Sequence, residues 1–177
     1  METTIKALNI IGRAPGWSRA PRTGDAWGIR GLIGRRPLDR VFKMHTVLTE
    51  SEKKSQEKAA GLGIPFYTTH NYPLKKMIRF FKTDYFSNTV GYMIALALYE
   101  GYEKIDLYGI NHARGREYIR EKCGVDFWCG VAMGRGVEVT VHGKRSKLLK
   151  THNNRIYGYG KKQGTWNGQS FITPTVD

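Results

Sequence analysis

Cysteine is scarce in this 177-residue chain, with only Cys123 and Cys129 present. Two cysteines exclude a disulfide framework, and six positions apart on one helix they point in different directions. Both are expected reduced and half-buried, in a cytoplasmic setting. No apolar run approaches the roughly 18 residues that cross a bilayer, so no membrane partner is expected. The opening Met1-Glu-Thr-Thr-Ile-Lys6 enters a strand directly and lacks the shape of a signal peptide. Acidic residues are also few, 15 Asp and Glu against 29 Lys and Arg, for a net charge of +14. That excess favours polyanionic or phosphorylated partners, nucleic acid among them, without identifying a reaction. Several signatures are missing as well. No G-x-G-x-x-G or G-K-[ST] marks a dinucleotide fingerprint or P-loop, and no C-x-x-C or H-x-x-x-H marks a metal site. No Ser–His–Asp or Cys–His arrangement can be argued.

What is present reads as α/β. With 40% hydrophobic and 25% charged residues the chain is a globular domain, able to bury about 70% of its unfolded surface. Residues 4–11 alternate and then run apolar, as a buried first strand does. Gly12 to Gly24 holds three Gly, two Pro and three Arg and is expected to be a loop. Short strands are expected at Ala26–Arg30 and Arg40–His45. Thr49 caps a surface helix to Gly61, with Glu52 as capping-box partner. Residues 64–68 form the next strand, at a sheet edge if Pro65 lies inside it. Pro73 starts a short helix through Phe81. Ser87 or Asn88 caps an apolar helix that Gly101 stops, and Lys104–Leu107 is a central strand. Arg116–Gly134 is the last long helix and Val137–Val141 the last strand. Alternating strands and helices imply one Rossmann-like domain over 1–142, a mostly parallel sheet with helices on both faces. A basic Gly- and Tyr-rich tail, 143–177, is expected to be extended.

Ligands of such sheets sit beyond the carboxyl ends of the strands. Three segments should meet there: Gly12-Arg13-Ala14-Pro15-Gly16, the turn after Trp27–Arg30, and Gly109-Ile-Asn111-His112-Ala-Arg114-Gly115. A glycine after the first strand lets backbone N–H groups approach a phosphate, and Arg13 adds charge; a tight turn without ligand is the alternative. Asn88 and Thr89 open a helix whose N-terminus suits a phosphate or base, or simply cap it. His112 is the best placed of the five histidines for acid–base work, and Asn111 could bind a ribose. Asp84, with Tyr85, could bind a sugar hydroxyl or a proton. His70, His142 and His152 have no partner at ligand spacing. Basic residues interleave with aromatics at Lys75–Lys82 and Lys144–Lys162, which would pair phosphate contacts with stacking. A solvated face is the alternative there.

This pattern resembles the sialyltransferase-like Rossmann proteins, the bacterial family 42 sialyltransferases and the related pterin-pyrophosphokinase-like proteins, with small phage-encoded members. The likeness covers roughly residues 5–141. It rests on the strand and loop Gly12-Arg-Ala-Pro-Gly16. It rests also on Asn88-Thr-Val-Gly-Tyr-Met93 through Gly101-Tyr102 to Ile105-Asp-Leu-Tyr-Gly-Ile-Asn111, with Glu117-Tyr118 and Gly134-Arg-Gly-Val-Glu-Val139 beyond. The resemblance implies that Gly12, Ala14 and Thr89 touch a nucleotide's phosphates or base, and Asn111 its ribose. The chain departs from the family at Gly16 (Ser), Arg30 (the strand-end Asn) and Asn111 (Asp). Glu121-Lys-Cys123 stand where the sialyltransferases carry a catalytic histidine.

The expectation is a small transferase using a nucleotide sugar as donor, the acceptor a nucleic acid base, in the cytoplasm (the host's, if phage-encoded). Gly12, Arg13, Ala14, Pro15, Arg30, Asn88, Thr89, Gly109 and Asn111 would bind the donor, and Asp84, His112 or Glu117 would act as base. Arg13, Arg30 and Arg114 would stabilise the leaving phosphate without metal. One alternative is an ATP-dependent pyrophosphokinase-like enzyme, for which Asp25 and Asp106 are poor magnesium ligands. Another is a binding module for nucleotides or nucleic acid without catalysis.

Overall fold

Six short, mostly apolar segments pair side by side as parallel strands: β1 (Ala7–Ile11), β2 (Asp25–Ile29), β3 (Arg40–Phe42), β4 (Phe66–Tyr67), β5 (Lys104–Tyr108) and β6 (Glu138–His142). The computed structural model describes residues 5–112, 116–151 and 155–158, and only the backbone of 116–119. The strand order is β4-β3-β2-β1-β5-β6. The chain therefore winds outward from β1 to β4, then crosses back to lay β5 on the other side of β1. Pro65 sits just before β4, at the sheet edge, where its missing N–H costs no ladder bond.

Four α-helices connect the strands: α1 (Glu50–Gly61), α2 (Leu74–Phe81), α3 (Thr89–Tyr99) and α4 (Arg116–Gly134). The expected single α/β domain with helices on both faces is what the chain forms. The even and odd positions of each strand sort into two cores. Leu8, Ile10, Trp27, Phe42, Ile105, Leu107 and Val139 face α2, α3 and α4. Ile11, Ala26, Val41, Phe66 and Tyr108 face α1 and a short 3-10 turn, Arg30–Leu32. α3 is apolar around its whole circumference because sheet, α2 and α4 enclose it, with Val90 to Ala97 buried except Tyr92.

The caps read from sequence are in place. Thr49 and Glu52 form the capping box of α1, and Thr49 N–H donates to Glu52 Oε2 at 2.8 Å. Asn88 rather than Ser87 caps α3, accepting from Gly91 N–H at 2.9 Å. Gly101, with φ of 77°, ends that helix region. One expectation needs correction. Cys123 is exposed and Cys129 fully buried, so neither is half-buried. Burial pushes the Cys129 thiol up to about 12. Just beyond β6 the chain still makes contacts with these elements. Ser146 donates to the Ile110 carbonyl at 2.9 Å, Leu148 joins the core, and Leu149 N–H donates to Asp126. The tail residues 152–154 and 159–177 lie outside the described residues.

Candidate functional site

Strand order reverses between β1 and β5, and both strands end in glycine loops at the same rim. The two loops interlock. Gly12 N–H donates to the Tyr108 carbonyl at 2.8 Å and Ala14 N–H to the Gly109 carbonyl at 2.9 Å. A Cβ on Gly12 would stand 2.4 Å from the Gly109 oxygen. One on Gly109, where φ is 62°, would stand 2.8 Å from the Ala14 oxygen and 2.7 Å from Trp17 Cβ. These glycines thus serve close backbone contact, and the Gly12 and Ala14 N–H groups are engaged by the Tyr108 and Gly109 carbonyls. Pro15 is exposed at the loop's tip. Gly16 has φ of 102°, a conformation that a side chain rarely tolerates.

Arg13 reaches from the β1 loop across to the end of β2, where its Cδ lies 2.6 Å from the Cβ position of Gly31. Arg13 is exposed and pairs with no carboxylate among the described residues. Arg30, at the same strand end, instead leans toward α1, its Nε 3.8 Å from Glu52 Oε1. Lys43 holds the same oxygen at 3.0 Å. The Thr49 N–H and Lys43 together depress the Glu52 carboxyl to about 2. Arg36 is a residue the sequence reading missed. It is 6% exposed and donates to the carbonyls of Trp17 and Pro21, pinning the Gly12–Gly24 loop from below. Burial lowers its pKa.

Asn88 lies at this end of the sheet, but its amide is engaged at both ends. Besides capping α3 it donates to the Glu121 carbonyl of α4 at 2.9 Å. Thr89 is partly exposed in the first turn. Asn111 closes β5, and its Oδ1 is buried with no hydrogen-bond partner among the described residues. It stands 4.0 Å from the Cβ position of Gly143, which follows β6.

Of the three expected bases, His112 adopts a left-handed backbone, φ 43°, and its ring turns inward. Its side chain is 7% exposed and its Nδ1 lies 3.7 Å from Glu121 Oε2. Asp84 is exposed in the loop before α3, with no ion pair among the described residues. Glu117 lies in the first turn of α4, its side chain outside the described residues, as is Arg114.

A second histidine carries a better geometry. His142 Nε2 lies 2.6 Å from Asp106 Oδ1, and its ring stacks on Tyr108 with centroids 4.0 Å apart and planes 4° from parallel. A carboxylate on Nε2 favours the tautomer with hydrogen there, leaving Nδ1 as acceptor. The pairing was not legible because the residues are 36 apart in sequence. The one available signal was that Asp106 and His142 sit near matching positions of two expected strands. Asp25, the other carboxylate considered for magnesium, is at the opposite end of the sheet, accepting from Tyr102 O–H at 2.6 Å. Among the described residues no cluster of metal ligands forms.

No family model and no curated protein matches the sequence. Solved structures similar to the chain include the sialyltransferase CstII from Campylobacter jejuni in complex with the substrate analogue CMP-3FNeuAc. That match has 14% identity and a TM-score of 0.45, over 81% of this chain and 83% of the other. CstII with cytidine-5'-monophosphate matches at 15% identity and TM-score 0.46, over 82% and 83%. An α-2,3-sialyltransferase from Campylobacter jejuni in apo form matches at 15% and 0.44, over 97% and 90%.

Proposed function

We propose that this protein is a small transferase that takes a nucleotide-activated sugar at the crevice between Gly12–Gly16 and Gly109–His112. The observation that carries the reading is the switch point itself. At one rim it gathers an arginine with no carboxylate partner among the described residues (Arg13), a buried amide oxygen with no hydrogen-bond partner among them (Asn111) and a carboxylate-held histidine (His142). Open α/β sheets bind ligands at that place.

In this reading Arg13 faces the phosphates and stabilises the charge that grows on them as the nucleotide leaves. The Asn111 amide oxygen accepts from a ribose hydroxyl, which satisfies a group otherwise costly to bury. His142, held by Asp106, takes the proton from an acceptor hydroxyl at Nδ1. The acceptor oxygen then bonds to the anomeric carbon while the bond from that carbon to the phosphate oxygen breaks, and its electron pair departs with the nucleotide. His142 replaces His112 as the preferred base, since the His112 side chain is turned inward and only 7% exposed. The net charge of +14 favours a polyanionic acceptor, and a hydroxyl-bearing modified base in a nucleic acid meets that requirement.

A thermal-shift panel of cytidine, uridine, guanosine and adenosine nucleotides and their sugars tests this. One series should raise Tm by mass action, about 2.7 kcal/mol at a hundredfold excess over Kd. Arg13→Ala and Asn111→Ala should diminish the shift. His142→Ala should keep the shift and lose transfer. A panel in which no nucleotide shifts Tm overturns the reading, and a shift without transfer to any acceptor moves it to a binding protein.

A further inference from the structure

The amino-terminal end of the sheet, opposite the crevice, carries two clusters of cations on aromatic rings, and they differ in one respect. In the first, Arg40 lies 4.5 Å over Trp27 and Lys6 4.3 Å over Tyr102. Carboxylates compensate that cluster: Glu100 pairs with Arg40 at 2.6 Å and Asp25 accepts from Tyr102. It is a closed structural stack.

The second cluster joins α2, the end of α3 and the residue after α4. Lys76 Nζ lies 4.8 Å over Tyr99, and Arg135 Cζ lies 5.2 Å over Phe80 and 4.9 Å over Phe81. Phe80 meets Tyr99 edge-on at 5.1 Å and is 46% exposed. Lys75, Lys76, Arg79 and Phe80 form the exposed face of α2, whose other side is anchored by Met77. Lys82 ends the helix in a left-handed cap. None of Lys75, Lys76, Arg79, Lys82 and Arg135 pairs with a carboxylate among the described residues. No Asp or Glu occurs from His70 to Thr83.

Folding alone gives no reason to gather like charges around an exposed ring, since their repulsion opposes it. We propose that this face binds single-stranded nucleic acid, its cations along the phosphates and the Phe80 ring against a base. A flat ring amid unpaired cations suits bases that can leave the helix stack, which a duplex does not offer. The site is separate from the crevice: Tyr99 precedes β5 and Arg135 precedes β6, whereas the crevice lies beyond the ends of β1 and β5. Binding here therefore stands whether or not a sugar is transferred there.

The test uses the full chain and a fluorescein-labelled oligothymidylate of roughly 15 nucleotides, enough to span one such platform. Anisotropy titrations run between roughly 50 and 200 mM salt. Lys76→Ala and Arg135→Ala should each flatten the slope of log K against log salt by about 0.7. Phe80→Ala should weaken binding about tenfold, and Phe80→Trp should restore it. The exposed Lys54→Ala on α1, across the sheet, should change neither. Equal effects from Lys54→Ala and Lys76→Ala would mean diffuse charge attraction and overturn the proposal. Duplex DNA binding as tightly, or polyglutamate competing with no effect of Phe80→Ala, would overturn it in favour of a duplex or an acidic protein. The nucleotide-induced Tm shift at the crevice should be unchanged in all of these variants, so the failure of one site is read separately from the other.

Discussion

His142 Nε2 and Asp106 Oδ1 stand 2.6 Å apart across the β5–β6 pairing, diagonal neighbours in register, since Asp106 faces Thr140 and His142 faces Tyr108. The carboxylate fixes the ring at Nε2 and Tyr108 holds its face, so the imidazole is kept in one orientation. Gly143, the next residue, adjoins the Asn111 amide oxygen.

Asp106→Asn should therefore leave the fold and donor binding intact while lowering kcat, because the amide can no longer select the productive tautomer. His142→Ala should lower turnover by about a hundredfold or more, the usual contribution of a positioned base. His112→Ala should have the smaller effect on kcat. Steady-state kinetics checks this once a donor is identified by the thermal-shift panel. A change confined to KM would show that the pair only shapes the rim.

Gly12→Ala and Gly109→Ala should each cost about 1–3 kcal/mol, since the new methyl meets a backbone oxygen that cannot move aside. Gly109→Ala adds the strain of a left-handed backbone. Gly61→Ala, in open space at the end of α1, should be neutral or slightly stabilising. Urea midpoints on the three variants distinguish close packing from a general intolerance of substitution.

The Glu52 carboxyl lies near 2 in the folded chain against an ordinary 4.5. A depressed carboxyl contributes stability above its unfolded value and loses it as pH falls toward the folded one. Part of the acid destabilisation between pH 4.5 and about 2 should thus belong to Glu52. Glu52→Gln should lower Tm at pH 7 and flatten that part of the profile. An unchanged acid limb would place the dependence on other carboxylates.

Iodoacetamide should modify one thiol per native chain and two per denatured chain. Cys123 is exposed, whereas Cys129 is buried with its thiol pushed up to about 12. Intact mass before and after denaturation reads the count. Two fast modifications in the native state would mean that α4 opens readily.

The sequence by itself determined the local structure. Thr49 with Glu52, Asn88 before an apolar run, and Gly101 at its end are start and stop signals whose physics is complete within one turn of helix. The same holds for the apolar strands, and alternation of strand and helix was enough to imply a parallel sheet. The carboxyl ends of the strands followed from that architecture as the place to look for a ligand, so the loops Gly12–Gly16 and Gly109–Asn111 stood out in the sequence as neighbours there. Only the tertiary structure decided what each of these residues touches. Periodicity tells which residues avoid water but not which strand lies beside which, and the 4-3-2-1-5-6 order is what brings β1 and β5 together. That order turned Gly12 and Gly109 into a backbone interlock, joined Asn88 to Glu121 across 33 positions, and set Asp106 against His142 across 36. Contacts between strands form from residues far apart along the chain, and nothing in the spacing of either partner marks the other.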